Sequence, residues 1–258
     1  MYFIDVQGTL IDDAQRLPVR GAAAFIDDLN ASGTPYMVIT NNTKRPGKEF
    51  LEYLNGVGLA IPAERYLDPL MTLEATLPKG GVAAYGSGPF LELVASMGYR
   101  LDYERPQSVL IAIKEDFSAG EYAQMIGFLL GGARLVGMHE TTLYAKDGRR
   151  YPGVGAILKM LEFATSTGYE VVGKPSRAFY GEALRRLRQQ AEGAEFKDVT
   201  IVSDDVKGDL VGAKELGMKT VFVLSGKYAA AEEIVPLLDA AQRPDMVCGD
   251  LQDYRERI

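Results

Sequence analysis

Asp5, Thr40, Lys174, Asp204, Asp205 and Asp209 are scattered along the chain, yet their side chains suit one kind of chemistry. A carboxylate can act as a nucleophile and carry a phosphoryl group as an aspartyl-phosphate. Carboxylates and carbonyl oxygens suit a hard cation such as Mg2+, which would neutralise phosphate charge. A lysine ammonium and a hydroxyl can hold the remaining phosphoryl oxygens as charge redistributes. The inventory therefore points to phosphoryl transfer. His139 is the only histidine, which weakens a Ser-His-Asp mechanism or a multi-histidine metal site. Cys248 is the only cysteine, so no internal disulfide can form, which fits a reducing compartment.

Each of these residues follows a short β-rich run. Asp5 follows Tyr2-Phe3-Ile4, and Thr40-Asn41-Asn42 follow Tyr36-Met37-Val38-Ile39. Lys174 follows Glu170-Val171-Val172, and the acidic group follows Val199-Thr200-Ile201-Val202. Further strands are expected at 219–223 and 245–248, with a helix over 21–31 stopped by Gly33. Strands alternating with helical patterns indicate βαβ units and a parallel sheet. In such a sheet all four strand ends share one edge, where ligands gather. The middle of the chain repeats the alternation, with strands at 82–85, 109–113 and 134–136 and helices near 88–98, 119–130 and 153–166. About a hundred residues there can form a second α/β unit. The expected division is 1–66 plus 168–258 as one domain and 67–167 as an insertion.

The net charge of -7 argues against nucleic acid or an anionic membrane as a partner. No apolar run is long enough to span a bilayer, and no basic, then apolar leader is visible. A cytoplasmic location is the expectation.

The ordered set resembles the haloacid dehalogenase superfamily. Its first motif, Asp-x-Asp-Gly-Thr, is matched by Asp5-Val6-Gln7-Gly8-Thr9 except at the third position. Thr40 matches the Ser or Thr of the second motif, and Lys174 in Val172-Gly173-Lys174-Pro175-Ser176 matches the third. Asp204 and Asp209 match the acidic fourth, with Ser203 in place of its glycine. The Thr-Asn-Asn run, the Gly-Lys-Pro-Ser run and the large insertion are similar to the NagD-like branch with a C2-type cap. The resemblance implies an α/β fold, a Rossmann-like parallel-sheet core domain with an inserted smaller α/β cap domain. It implies Mg2+ as cofactor, held by Asp5, the Gln7 carbonyl, Asp204 and Asp209 or Asp205. It implies Asp5 as nucleophile, and Thr40, Asn41, Asn42 and Lys174 around the phosphoryl group. A small phosphorylated molecule is the implied partner, and a homodimer the assembly common among relatives.

Gln7 departs from the motif. Members active on phosphate esters usually have aspartate there, which protonates the leaving oxygen and then deprotonates water. An amide can hold a substrate by hydrogen bonds but cannot transfer that proton. Such catalysis contributes roughly 10²–10⁴ in rate, or about 3–5 kcal/mol of barrier. The expectation is a phosphatase favouring leaving groups that need little protonation, such as acyl phosphates, pyrophosphate or phosphoramidates. The phospholysine/phosphohistidine phosphatase branch also lacks the second aspartate. The alternative is a catalytically weak, phospholigand-binding or regulatory protein.

Other features have plainer expectations. Asp12-Asp13 and Asp27-Asp28 read as solvated helix faces, and Gly86-Ser87-Gly88 as a tight turn rather than a dinucleotide loop. Pro152-Gly153 reads as the entry to a helix. His139 reads as a packing or surface residue.

Overall fold

The computed structural model describes residues 1–146 and 149–258. The chain divides into two compact units, Met1–Thr40 with Lys48–Leu67 and Tyr180–Ile258, and Asn41–Gly47 with Asp68–Phe179. Among the described residues the strands are β1 (Tyr2–Ile4), β2 (Tyr36–Ile39), β3 (Tyr66–Leu67), β4 (Gly81–Tyr85), β5 (Arg100–Leu101), β6 (Ser108–Ile111), β7 (Arg134–Gly137), β8 (Leu143–Lys146), β9 (Arg149–Pro152), β10 (Tyr169–Val171), β11 (Thr200–Ser203), β12 (Lys219–Val223) and β13 (Met246–Cys248). The observed fold class is the expected one: a parallel-sheet α/β unit interrupted by a second α/β unit.

The first unit is built on a sheet of order β13-β12-β11-β1-β2-β3, in which every pairing is parallel. Its central strands are apolar on both faces, as a sheet covered on both sides requires. One face carries Ile4, Val38, Val202 and Val223, packed with Phe25, Ile26 and Leu29 of helix Ala22–Ala31 and with Leu251 and Tyr254. The alternate residues Phe3, Met37, Ile201 and Phe222 are equally buried. On that side Tyr180 stacks on Phe3 with ring centroids 6.3 Å apart.

The second unit holds a parallel sheet of order β10-β7-β6-β4-β5 and the antiparallel hairpin β8-β9. Val82, Ala84, Leu110 and Val136 pack with Phe90, Val94 and Tyr99 on one face. Tyr85, Val109, Ile111 and Leu135 pack with Met125, Leu129, Ile157, Leu158 and Leu161 on the other. Helix Ala119–Leu130 starts in a capping box. The Glu121 N–H donates to Ser118 Oγ (3.2 Å) while Ser118 N–H donates to Glu121 Oε2 (2.8 Å). A cap of this kind contributes about 1 kcal/mol. Helix Val154–Thr165 begins just after Gly153, as expected.

Two expectations are corrected. The strand before Lys174 does not join the sheet that carries Asp5, because β10 pairs with β7 in the second sheet. The chain leaves β7, passes through helix Val154–Thr165 packed on that sheet, and returns beside β7. Local sequence shows the strand but not its sheet. Asp12-Asp13 lie in a turn and not on a helix. Asp12 Oδ1 accepts from the Ala14 and Gln15 N–H groups (2.9 and 2.5 Å) and Oδ2 from Leu17 N–H (3.0 Å), so the carboxylate closes the turn itself. Asp27 and Asp28 are exposed on helix Ala22–Ala31, as expected.

Candidate active site

In the first unit, the carboxyl ends of β1, β2, β11 and β12 place the chemistry. Asp5 continues the β1 ladder, its N–H donating to Val202 O at 3.0 Å, and only 5% of it is exposed. The chain then turns sharply. Gly8 adopts φ +73°, and its N–H donates to Ile11 O at 2.8 Å. Ile11 bridges antiparallel to Pro18, so residues 11–18 form a small flap. A side chain at Gly8 would meet Asp204 Oδ2 at 2.1 Å, so close approach as well as backbone conformation requires glycine here.

Thr40 ends β2, fully buried, with its N–H donating to Leu67 O at 3.1 Å. Its hydroxyl donates to Gln7 Oε1 at 2.8 Å. The amide at the departed position is therefore engaged by the motif-two threonine.

The loop after β11 is a dense hydrogen-bonded turn. Asp204 N–H donates to the buried Thr9 Oγ1 at 3.1 Å, joining motifs one and four. Ser203 Oγ donates to Asp209 Oδ2 at 2.6 Å and accepts from Asp205 N–H at 3.1 Å. The hydroxyl that replaces the usual glycine thus ties Asp209 down. Asp205 Oδ1 accepts from Gly208 N–H at 2.9 Å. Asp209 is buried, and its backbone carbonyl accepts from Tyr180 OH at 3.1 Å.

The loop after β12 closes the arrangement, and the sequence did not single it out. Ser225 Oγ donates to Gly8 O at 2.7 Å. Lys227 N–H donates to Asp204 Oδ2 at 2.7 Å, and Lys227 Nζ pairs with Asp205 Oδ2 at 2.9 Å. A side chain at Gly226 would strike both Asp204 Oδ2 (2.1 Å) and Gly8 Cα (2.5 Å). The available signal was a fifth polar strand end, Ser225-Gly226-Lys227 after Phe222-Val223.

Burial, and after it the charges of Asp5 and Asp205, hold the Asp204 carboxyl well above the ordinary carboxylate range. The Lys227 N–H opposes this only in part. Burial also pulls the Lys227 ammonium down, but Asp205 outweighs it and the group titrates above its ordinary value. Two neighbouring buried carboxylates that resist joint ionisation form an environment that a divalent cation would relieve. Among the described residues, no three His, Cys, Asp or Glu side chains gather as a metal-holding group. Mg2+ commonly takes one or two carboxylates, with waters and substrate phosphate completing its shell. Asp5 and Asp204 with a backbone carbonyl fit that demand.

The other candidate residues lie in the second unit. Lys174 is 2% exposed. Its N–H donates to Asn41 Oδ1 at 2.9 Å, and Asn41 Nδ2 donates back to Lys174 O at 3.4 Å. Asn41 thus fixes the backbone that carries Lys174. Asn42 braces its own loop, donating to Arg45 O at 2.9 Å and accepting from Lys44 N–H at 3.3 Å. His139 is buried, with Nδ1 accepting from Thr141 N–H at 3.4 Å. Among the described residues no helix is long and apolar enough to cross a membrane.

Comparison with known proteins bears on this geometry. A family model for haloacid dehalogenase-like hydrolases matches residues 2–100, and one described as HAD-hydrolase-like matches residues 171–254. The chain is 31% identical to haloacid dehalogenase-like hydrolase domain-containing protein 2 of Mus musculus, over 89% of this chain and 86% of that one. It is 25% identical to the ribonucleotide monophosphatase NagD of Escherichia coli, over 86% of each chain. The structure of a p-nitrophenyl phosphatase from Archaeoglobus fulgidus matches all of this chain and 98% of its own, with TM-score 0.83 at 24% identity, which shows a shared fold.

Proposed function

This chain belongs to the haloacid dehalogenase-like hydrolases, in the NagD-like branch, and we propose that it is a Mg2+-dependent phosphatase of small phosphorylated molecules working through Asp5. One observation carries the reading: Asp5 and Asp204 are buried beside each other at the carboxyl edge of β1 and β11, and Asp5 helps push the Asp204 carboxyl upward. The phosphatase names of NagD and the Archaeoglobus protein support the substrate class.

Mg2+, held by Asp5, Asp204 and the Gln7 backbone carbonyl, would supply positive charge against the phosphoryl oxygens. Asp209, tied to Ser203, and Asp205, tied to Lys227, would support that set from behind. An Asp5 oxygen attacks phosphorus, forming an aspartyl-phosphate while the bond to the leaving atom breaks and its electron pair departs with the leaving group. Water then attacks phosphorus and the Asp5–phosphorus bond breaks, its electron pair returning to the free Asp5 carboxylate, while the water's oxygen and both its protons leave as dihydrogen phosphate, which loses a proton to solvent. Thr40, whose hydroxyl donates to Gln7 Oε1, would orient the Gln7 amide. The order of motifs assigns Lys174 to the phosphoryl oxygens and Asn41 and Asn42 to the loop around them. Residues 68–167 of the second unit fall in the stretch that the resemblance reads as the inserted cap, whereas Asn41, Asn42 and Lys174, also in that unit, belong by motif to the core.

Gln7 supplies no proton to the leaving atom, so the reading extends to substrate class: acyl phosphates, pyrophosphate or phosphoramidates over alkyl esters. The same residue favours a second reading, a phospholigand-binding protein with little turnover. Phosphate release with Mg2+ from acetyl phosphate, a phosphoramidate and p-nitrophenyl phosphate separates them. Turnover by the native chain that disappears in Asp5→Asn supports the enzyme, whereas binding without Asp5-dependent turnover supports the second reading.

A further inference from the structure

Two adjacent acids, Asp204 and Asp205, stand at the end of β11, and either side chain has the chemistry to take a cation. The loop after β12 treats them differently. Lys227 gives Asp204 only a backbone N–H, at Oδ2 (2.7 Å). It gives Asp205 its ammonium, also at Oδ2 (2.9 Å), while Gly208 N–H occupies Asp205 Oδ1 (2.9 Å). Both oxygens of Asp205 therefore have donors. Asp204 is 5% exposed, and the pair beside it is largely enclosed, with a quarter of the Lys227 side chain and less of Asp205 exposed. The loop is held in place from the other side by Ser225 Oγ on Gly8 O (2.7 Å) and by a glycine at 226 that no other residue can replace without striking Asp204.

We propose that Lys227 is a positioning residue that withholds Asp205 from the cation, leaving Asp204 as the motif-four carboxylate that binds it, and so sets the affinity of the site for Mg2+. The inference rests on the reading above that Asp5 and Asp204 hold a divalent cation. Its sign is distinctive. A lysine with a merely structural role, once removed, would loosen the site and weaken Mg2+ binding. A lysine that neutralises and withholds Asp205 does the reverse. Its loss exposes an uncompensated carboxylate beside the cation and strengthens binding by roughly tenfold. The guanidinium of Lys227→Arg keeps the charge and the pairing, so affinity stays within about threefold of native.

The test is calorimetric titration of the full chain with MgCl2 alone, without substrate, for the native protein, Lys227→Gln, Lys227→Met and Lys227→Arg, each checked by circular dichroism. Tighter Mg2+ binding in whichever neutral variant folds, with near-native binding in the arginine variant, is the expected result. Unchanged or weaker binding in a folded neutral variant overturns the inference while leaving the cation site in place. Absence of Mg2+ binding by the native chain overturns the cation site and the inference with it.

Discussion

Gln7→Asp is the most informative single substitution. Gln7 Oε1 accepts a hydrogen bond from Thr40 Oγ1 at 2.8 Å, within a hydrogen-bonded turn that also carries Asp5. The aspartate is one methylene shorter and forfeits that neutral bond, worth about 1 kcal/mol. The melting temperature should fall by about 2–4 °C. The catalytic effect is larger and opposite in direction. A carboxyl at position 7 has the transferable proton that the amide lacks. It would supply the missing leaving-group proton, raising turnover of an alkyl phosphate by roughly 10²–10⁴, equivalent to about 3–5 kcal/mol of barrier. Acetyl phosphate, whose leaving carboxylate needs no proton, should change by less than about threefold in kcat/KM. The assay is phosphate release at fixed Mg2+ on glycerol phosphate and acetyl phosphate by native and substituted chains, comparing kcat/KM, which reports the first phosphoryl transfer and not the water step that both substrates share. Equal changes on both substrates, or a loss on glycerol phosphate, would refute the assignment of Gln7 as the missing acid.

Gly8→Ala should be strongly destabilising: φ +73° costs an alanine about 1–2 kcal/mol before the 2.1 Å approach to Asp204 is counted. Thermal melts and Mg2+ titration check it, with weakened metal binding expected alongside the lower melting temperature. Tyr180→Phe removes the 3.1 Å bond to Asp209 O in a buried setting and should lower stability by about 1–2 kcal/mol, read by chemical denaturation. The Asp204 carboxyl, raised by burial and by Asp5, binds its proton more tightly folded than unfolded. Its contribution is therefore present at low pH and is lost as pH rises from the ordinary carboxylate value through the raised folded one. Metal-free Asp204→Asn should accordingly melt higher than the metal-free native chain at pH 7.5. Mg2+ should raise the melting temperature of the native chain and leave that of Asp204→Asn unchanged. A native chain melting higher than the variant without metal would contradict the electrostatic account.

The strand ends that carry Asp5, Thr40 and Asp204 were legible because an apolar run stopping at a polar residue is a local signal. So was the helix Ala22–Ala31, closed by Gly33. The partnership of β10 was not legible, since it depends on how helix Val154–Thr165 packs on the second sheet. The turn made by Asp12 was missed because two adjacent acids look alike on a helix and in a loop until their hydrogen bonds are known. Ser203 stands where the motif has glycine, and only its 2.6 Å bond to Asp209 shows what the hydroxyl does. Lys227 carries no spacing that marks it. Its importance comes from the register of β12 beside β11, which brings residue 227 to Asp204 and Asp205.

Whether Asp5 is the phosphoryl acceptor is tested most directly by phosphate release from acetyl phosphate with Mg2+, comparing the native chain with Asp5→Asn. The expected result is measurable native turnover and a loss of at least about 10³-fold in the variant, since an amide cannot form the phosphoenzyme. Turnover that survives Asp5→Asn would rule out Asp5 as the phosphoryl acceptor.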